Sequence, residues 1–168
     1  MSIAQALLAE FEAQAPVTRT YLERLPSDKL TWTPHSRSMT AGQLAYHLAT
    51  IPGAIMGAAK QSQIAPPNFR SFPQPATTQE ILTAFEQSIA AVRETLPSFD
   101  DEAMHATWRI VAGDKEIAAM PRIAFLRNIM LNHWYQHRGQ FSVYLRLLDI
   151  PVPASWGPSA DEAPSFPK

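Results

Sequence analysis

Four stretches of the chain place an apolar residue at every third or fourth position, and this spacing restricts the possible fold more than any other feature. Such spacing puts the apolar side chains on one face of an α-helix. The predicted helices run from Ala4 to Leu25, from about Thr40 to Ala58, from Thr77 to Leu96 and from Pro121 to Leu148. The sequence therefore predicts an all-α protein, built as a four-helix bundle.

Local signals mark where these helices begin and where they are disturbed. Thr40 with Gln43, and Thr77 with Glu80, have the spacing of a capping box, in which both side chains bond backbone N–H groups at the start of a helix. Proline lacks a backbone N–H and disturbs a helix interior. We therefore expect a kink or a break at Pro16 in the first helix, and a bend at Pro52 in the second.

The connections between the predicted helices are long. They have roughly 14 to 20 residues, whereas helix connections in bundles usually have about 2–8. An extended connection of that length can run back along one helix and start the next one parallel to it. Within the third connection, residues 106–118 are predicted to form a short hairpin or an extended excursion. The tail after Leu148 is rich in proline and is predicted to be non-helical and to pack across the end of the bundle.

Composition excludes several classes of function. The 168 residues, which we expect to form a single domain over 1–168, carry 14 basic and 15 acidic side chains. This balance argues against nucleic acid as the main partner, since phosphate binding needs a concentrated positive charge. The absence of cysteine excludes disulfides, thiolate ligands and a cysteine nucleophile. With neither a signal-peptide pattern nor an apolar run long enough to cross a bilayer, we expect a cytoplasmic protein without membrane partners.

Three of the five histidines fall on the predicted inner faces of helices. His133 and His137 are four residues apart, so both imidazoles project from one face of the last helix. His47 lies on the inner face of the second helix. A buried imidazole costs free energy unless its nitrogens are satisfied, and one metal ion could satisfy all three rings. The alternative is that each is a core histidine hydrogen-bonded to a neighbour. His35 and His105 lie in connections and are interpreted as ordinary loop residues.

The identity of the other inward side chains narrows the type of metal site. The inner faces carry no Asp or Glu, which argues against a di-iron carboxylate site. Three neutral ligands would leave coordination positions for water or substrate, and imidazole suits zinc or nickel. Gln43 and Gln140 lie one turn from His47 and His137, and either could orient an imidazole or hold a bound water. It is equally consistent with the sequence that Gln43 caps its helix and that Gln140 lines a helix edge.

Several short segments together resemble the DinB-like superfamily, and the resemblance covers nearly the whole chain. These segments are Trp32-Thr33-Pro34, Gln43-Leu44-Ala45-Tyr46-His47-Leu48, Asn132-His133-Trp134-Tyr135-Gln136-His137-Arg138-Gly139-Gln140, Tyr144-Leu145-Arg146, Ile150-Pro151-Val152-Pro153 and Trp156-Gly157-Pro158-Ser159-Ala160-Asp161. The resemblance implies an up-down-down-up four-helix bundle, frequent homodimers, and His47, His133 and His137 as metal ligands.

The resemblance also suggests a class of activity. Characterised relatives include metal-dependent transferases and isomerases that use low-molecular-weight thiols. Our leading hypothesis is a mononuclear metal-dependent enzyme that directs a thiol or water nucleophile at a small electrophile, as an S-transferase or a hydrolase does. The alternative is a non-catalytic metal-binding or stress-related bundle protein with a structural ion. Whether Asp161 and Trp156 reach the site or pack the bundle end is left open by the sequence.

Overall fold

Four long helical segments dominate the fold. The computed structural model describes residues 1–68 and 72–163. The helices in these ranges are α1 (Ile3–Glu23), α2 (Ala41–Ala59), α3 (Thr78–Thr95), α4 (Asp101–His105), α5 (Arg122–Phe125) and α6 (His133–Leu147). A π-helical stretch, Leu126–Asn132, joins α5 to α6, so these segments form one composite helix. Short 3₁₀ turns occupy Ser27–Lys29 and Leu96–Ser98.

Hydrogen bonds at both ends of α1 and α3 show that these helices are antiparallel. The Thr78 hydroxyl at the start of α3 donates to the carbonyl of Leu25, just after α1, at 2.6 Å. At the other end, the backbone N–H of Ile3 donates to the carboxylate of Asp101, which follows α3, at 2.9 Å. The start of each helix therefore lies beside the end of the other.

Helices α2 and α3 run parallel. Thr40 and Gln74, which both precede their helices, are hydrogen-bonded through their side chains at 2.7 Å. The connection between α2 and α3 covers residues 60–77, and when extended it is longer than α2, which is enough to return to the same end. Further along, the N–H of Gly53 donates to the hydroxyl of Ser88 at 2.7 Å. The long second connection thus carries the chain back before α3 begins.

The composite helix runs antiparallel to α2. The Tyr144 hydroxyl donates to the carbonyl of Met39 before α2 at 3.1 Å, and the Trp134 indole donates to the carbonyl of Leu48 within α2 at 2.9 Å. With the two preceding relationships, this gives the order up-down-down-up for the four long helices. The predicted all-α fold class and its connectivity are confirmed.

The predicted helix starts and interruptions have mixed outcomes. Both bonds of the capping box between Thr40 and Gln43 form. Thr77 caps the N–H of Glu80, but the Glu80 carboxylate accepts from the N–H of Ala76, so the second capping box is only half formed. Helix α1 continues through Pro16 from Ile3 to Glu23, so a break into two pieces does not occur.

A small sheet combines one strand from the connection after α2 with a hairpin that precedes the composite helix. Strand β1 (Gln63–Ile64) pairs in parallel with β2 (Thr107–Ala112), which pairs antiparallel with β3 (Lys115–Pro121). The predicted hairpin is therefore correct, and β3 continues to Pro121. Gly113 adopts a φ of 60° in the tight turn between β2 and β3, a conformation that favours glycine. Strand β1 was not predicted, because a strand of two residues is too short to show an alternation of apolar and polar side chains.

The inner face predicted for the last helix is partly wrong. Leu147 was expected inside but is 55% exposed, whereas Trp134, Phe141 and Leu145 are fully buried. A π-helical turn closes its hydrogen bonds from residue i to i+5, so residues after it are rotated relative to a continuous α-helix. The core face after this turn therefore includes residues one position later than the predicted stripe, although His137 and Tyr144 of that stripe are buried as well. No helix in the described ranges is both long and apolar enough to cross a membrane.

The tail after α6 is non-helical as far as it is described, as predicted. Tyr21 donates from its hydroxyl to the carbonyl of Pro153 at 2.9 Å. Arg24 forms an ion pair with Glu162. These contacts attach the tail to the end of α1, across the end of the helical assembly.

Candidate metal centre

Three histidines from two antiparallel helices converge at one place. His47 comes from the middle of α2, while His133 and His137 occupy successive turns at the start of α6. One ring nitrogen from each lies within 4.8 Å of the others. The ring centroids are separated by 4.5 to 5.4 Å. The structure thus brings together the three residues that the sequence predicted as ligands.

The hydrogen bond between His137 and Gln140 determines where the lone pair of His137 points. Nδ1 of His137 lies 2.9 Å from the side-chain oxygen of Gln140, an acceptor, so Nδ1 carries the proton and Nε2 carries the lone pair. Nε2 of His133 lies 2.7 Å from Nε2 of His137. The His133 ring also bonds the backbone of Ile129. The lone pair on Nε2 of His137 therefore faces Nε2 of His133.

Nitrogens this close share a proton in an N–H···N hydrogen bond when no metal is bound. A bound metal ion would replace that proton and satisfy both nitrogens at once. His47 supplies a third imidazole at the same point. The donor set of this cluster therefore fits a divalent ion that accepts nitrogen ligands.

The electrostatic surroundings keep the three imidazoles neutral, which is the form that binds metals. Burial, with smaller contributions from His137 and His133, lowers the pKa of His47 to about 4. Burial is also the main reason that the pKa of His133 and that of His137 lie below their ordinary value. The bonds to Ile129 and Gln140 act in the opposite direction, because each stabilises the charged ring.

The two glutamines named from the sequence occupy different environments. Gln140 contacts His137 directly, as described above. Gln43 instead uses its carbonyl oxygen to accept from the N–H of Thr40 and its amide to donate to the carbonyl of Phe72. Both polar groups of Gln43 are thus bonded away from the histidines. Its role here is the helix-capping alternative, and it also holds Phe72, whose ring packs edge-on against His47 at 5.3 Å.

Pro52 and Trp134 together align the two helices that carry the histidines. Pro52 lacks an N–H, so the carbonyl of Leu48, four residues earlier, has no regular helical donor. The indole Nε1 of Trp134 supplies that donor at 2.9 Å. Leu48 follows His47, and Trp134 follows His133. Sequence reasoning treated Pro52 only as a source of a bend and assigned no role to Trp134.

The π-helical stretch ends directly before the first ligand of the pair. It spans Leu126–Asn132, and its Ile129 provides the backbone bond to His133. Interruptions of this kind are frequent at functional sites because they redirect side chains. Apolar spacing offered no signal for it, since the stripe through Leu126 and Met130 is compatible with a regular α-helix.

A cavity of about 520 Å³ adjoins the cluster. Its wall is built from α2, the region of β1, the β2–β3 hairpin and the composite helix. The lining residues are His47, Thr50, Ile51, Ala54, Ile55, Ala58, Ile64, Pro66, Pro67, Trp108, Ile110, Ile117, Met120, Phe125, Ile129 and His133. Among these described residues there is no Asp, Glu, Lys or Arg. The volume lies in the range typical of small-molecule sites, about 300–1,000 Å³.

The remaining residues of interest lie outside the cluster. Asp161 accepts from Arg146 at 2.5 Å and from the N–H of Val152 at 2.9 Å. Trp156 donates from its indole to the side chain of Gln14 at 2.9 Å. These contacts place both tail residues in the packing of the bundle end. His35 accepts from the N–H of Arg37 within its loop, and His105 ends α4.

The long helices run up-down-down-up, and three histidines converge beside an apolar cavity. These two features place the chain in the class of helical proteins with a candidate metal site. The chain belongs to the DinB family, whose model matches residues 1–163. This confirms the family resemblance inferred from the short sequence segments.

Individual relatives agree with this assignment. The chain is 25% identical to the uncharacterized protein YrdA of Bacillus subtilis, over 95% of this chain and 91% of that protein. A crystal structure of a DinB-like protein from Bacillus cereus is similar with a TM-score of 0.74 and 21% identity, covering 92% of this chain and 98% of the other. The DinB-like protein YjoA of Bacillus subtilis is similar with a TM-score of 0.64 and 18% identity, covering 87% and 95%. At these identities the likeness concerns the fold.

Proposed function

We propose that this DinB family protein is a metal-dependent enzyme in which His47, His133 and His137 hold one divalent ion, zinc or nickel. The observation that carries the proposal is the convergence of three imidazoles, in which the Nε2 atoms of His133 and His137 lie 2.7 Å apart. The bond from Nδ1 of His137 to Gln140 directs the Nε2 lone pair of His137 into the cluster. His47 adds a third neutral nitrogen within 4.8 Å.

The arrangement favours catalysis over a purely structural ion. Three protein ligands are typical of catalytic zinc, whereas structural zinc has four. The cavity is lined by His47 and His133, so a small molecule could approach the open side of the cluster. A divalent ion held there would lower the pKa of a bound water or low-molecular-weight thiol. The chain itself then positions a small electrophile for S-transfer or hydrolysis.

Metal content tests the first part of the proposal. Protein purified without an affinity tag should contain about one zinc or nickel ion per chain by elemental analysis. His47→Ala, His133→Ala and His137→Ala should each lose most of this metal. His35→Ala and His105→Ala are matched controls outside the cluster and should retain it. Absence of bound metal, together with no uptake when zinc or nickel is supplied, would contradict the proposal.

Cobalt substitution separates the catalytic from the structural interpretation. Cobalt(II) reports its ligands through visible absorption, and a thiolate ligand adds a charge-transfer band. If the coordination sphere has an open position, 2-mercaptoethanol should produce this band and change the visible spectrum. An unchanged spectrum at saturating thiol would indicate a closed sphere and favour the alternative, a non-catalytic protein with a structural ion.

A further inference from the structure

We propose that the cavity beside the three histidines binds an uncharged, predominantly apolar substrate that lies along α2 and presents its reactive group to His47 and His133. The proposal rests on the proposed enzymatic function and names the substrate class for that same site. It is carried by the composition of the cavity wall, its shape and its connection to the histidines.

The described residues of the wall offer an apolar ligand favourable contacts and include no Asp, Glu, Lys or Arg to pair with a charged ligand. Aliphatic and aromatic side chains from α2, the sheet and the composite helix make up most of it. The polar side chains among the described lining residues are the two histidines and Thr50. The Thr50 hydroxyl already donates to the carbonyl of Tyr46 at 2.9 Å. Away from the histidines, a carboxylate or ammonium group would lose its water without gaining an ionic partner among the described lining residues, which is strongly unfavourable.

The cavity is elongated in the direction of α2. Its α2 residues run from His47 to Ala58, a span of ~16 Å at 1.5 Å per residue. The indole of Trp108, in β2, donates to the carbonyl of Ala58 at 3.2 Å and stacks on Phe125 at 3.6 Å. These contacts hold the hairpin against the last turn of α2. An elongated apolar molecule fits between them, with one end at the histidines.

This wall also restricts where a thiol cosubstrate could lie. Low-molecular-weight thiols of the glutathione type carry several charged groups. The described lining residues provide no ionic partner for those groups, so such a thiol would reach the histidines from outside the cavity. The cavity itself is then left to the electrophile, and its apolar wall determines which electrophile is accepted.

Two fluorescent probes with the same ring system test this substrate class. N-phenyl-1-naphthylamine is neutral, and 8-anilinonaphthalene-1-sulfonate is the same skeleton with an anionic sulfonate. The full chain should bind the neutral probe at least tenfold more tightly than the anionic one. Equal affinities, or tighter binding of the anionic probe, would overturn the proposal.

Matched substitutions locate the bound probe. Ala54 lies in α2, lines the cavity and is exposed, so Ala54→Trp fills the cavity without disturbing the core. Ala90 is exposed on α3 and does not line the cavity, so Ala90→Trp is the control. Ala54→Trp should weaken binding of the neutral probe at least tenfold, and Ala90→Trp should leave it within twofold. Ala58→Leu provides a second, smaller filling variant and should weaken binding to an intermediate extent.

Failure of this inference can be distinguished from failure of the proposed function. Probe binding is measured on protein treated with a chelator as well as on metal-loaded protein, and it requires no turnover. One outcome is that the protein takes up no metal but binds the neutral probe, and that Ala54→Trp weakens this binding. The assignment of the cavity then stands and the enzymatic proposal fails. If metal binds but Ala54→Trp leaves neutral-probe binding unchanged, the substrate class is wrong.

Discussion

The indole of Trp134 donates a hydrogen bond to the carbonyl of Leu48 at 2.9 Å, joining the residue after His133 to the residue after His47. This carbonyl needs an external donor because Pro52, four residues later, has no N–H. A proline that would ordinarily weaken α2 therefore creates the acceptor that aligns α2 with α6. The alignment is what brings histidines from distant parts of the chain to one point.

We expect Trp134→Phe to destabilise the protein by about 2 kcal/mol, since it leaves a buried carbonyl unsatisfied and removes part of a buried side chain. Pro52→Ala supplies an N–H to that carbonyl. Pro52→Ala should therefore raise the free energy of unfolding by about 1 kcal/mol more in the Trp134→Phe background than in the unmodified protein. Urea unfolding of the two single variants and the double variant measures this coupling. Equal effects of Pro52→Ala in both backgrounds would show that the two residues do not share the carbonyl.

Gln140 should control metal affinity without being a ligand. Its side-chain oxygen holds His137 in the tautomer whose Nε2 is free. Gln140→Leu should lower metal affinity about 10- to 100-fold, the usual effect of removing a group that orients a ligand, while the stoichiometry stays unchanged. Competition with a chromophoric chelator measures the affinity. Gln136→Leu, at an exposed position of the same helix, is the matched control and should have no comparable effect.

The stability of the metal-free protein should depend on pH through the histidine cluster. The pKa of each of the three rings lies below its ordinary value, and that of His47 falls to about 4. The native state thus binds fewer protons than the unfolded state below about pH 6.5. The contribution of the three neutral rings to the free energy of unfolding is therefore fully present above that pH and is lost as the pH falls from about 6.5 towards 4.

Urea unfolding at several pH values between 4 and 7.5, in the presence of a chelator, checks this dependence. A variant with all three histidines replaced by alanine should lose less stability over the same range. The difference in slope should stay below ~1.4 kcal/mol per pH unit for each ring, because each ring binds at most one proton and solvent screens the partly exposed His47 and His133. Parallel curves for the two proteins would show that the cluster is not the origin of the pH dependence.

The tail should be dispensable for metal binding. Asp161 and Trp156 bond Arg146, Val152 and Gln14 at the bundle end. We expect Asp161→Ala and Trp156→Ala to leave the metal dissociation constant within twofold of the original protein. A tenfold loss of affinity in either variant would mean that the tail reaches the histidines in solution.

Much of the helical architecture follows from local sequence signals. The 3.6-residue period places apolar side chains on one face of each helix, and the Thr40–Gln43 capping box marks the start of α2 by bonds within four residues. The same period puts His133 and His137 on successive turns of one helix. Each of these features depends on contacts between residues close in sequence, so no knowledge of the remaining chain is needed.

Other features depend on contacts between distant residues and were decided by the tertiary structure alone. The approach of His47 to the pair depends on the antiparallel packing of α2 and α6 and on the bond between Leu48 and Trp134. The exposure of Leu147 depends on the rotation introduced by the π-helical stretch. The cavity is formed by the hairpin folding against the end of α2, to which Trp108 attaches it.

The sequence by itself therefore determined the helices, the histidine pair and the kinds of ligand available, because helix geometry and residue chemistry are local. Only the tertiary structure decided which nitrogens face one another, where the glutamines bond, and which apolar surface the histidines share. Those relationships arise when segments far apart in the chain pack together. The spacing of residues along one helix carries no information about them.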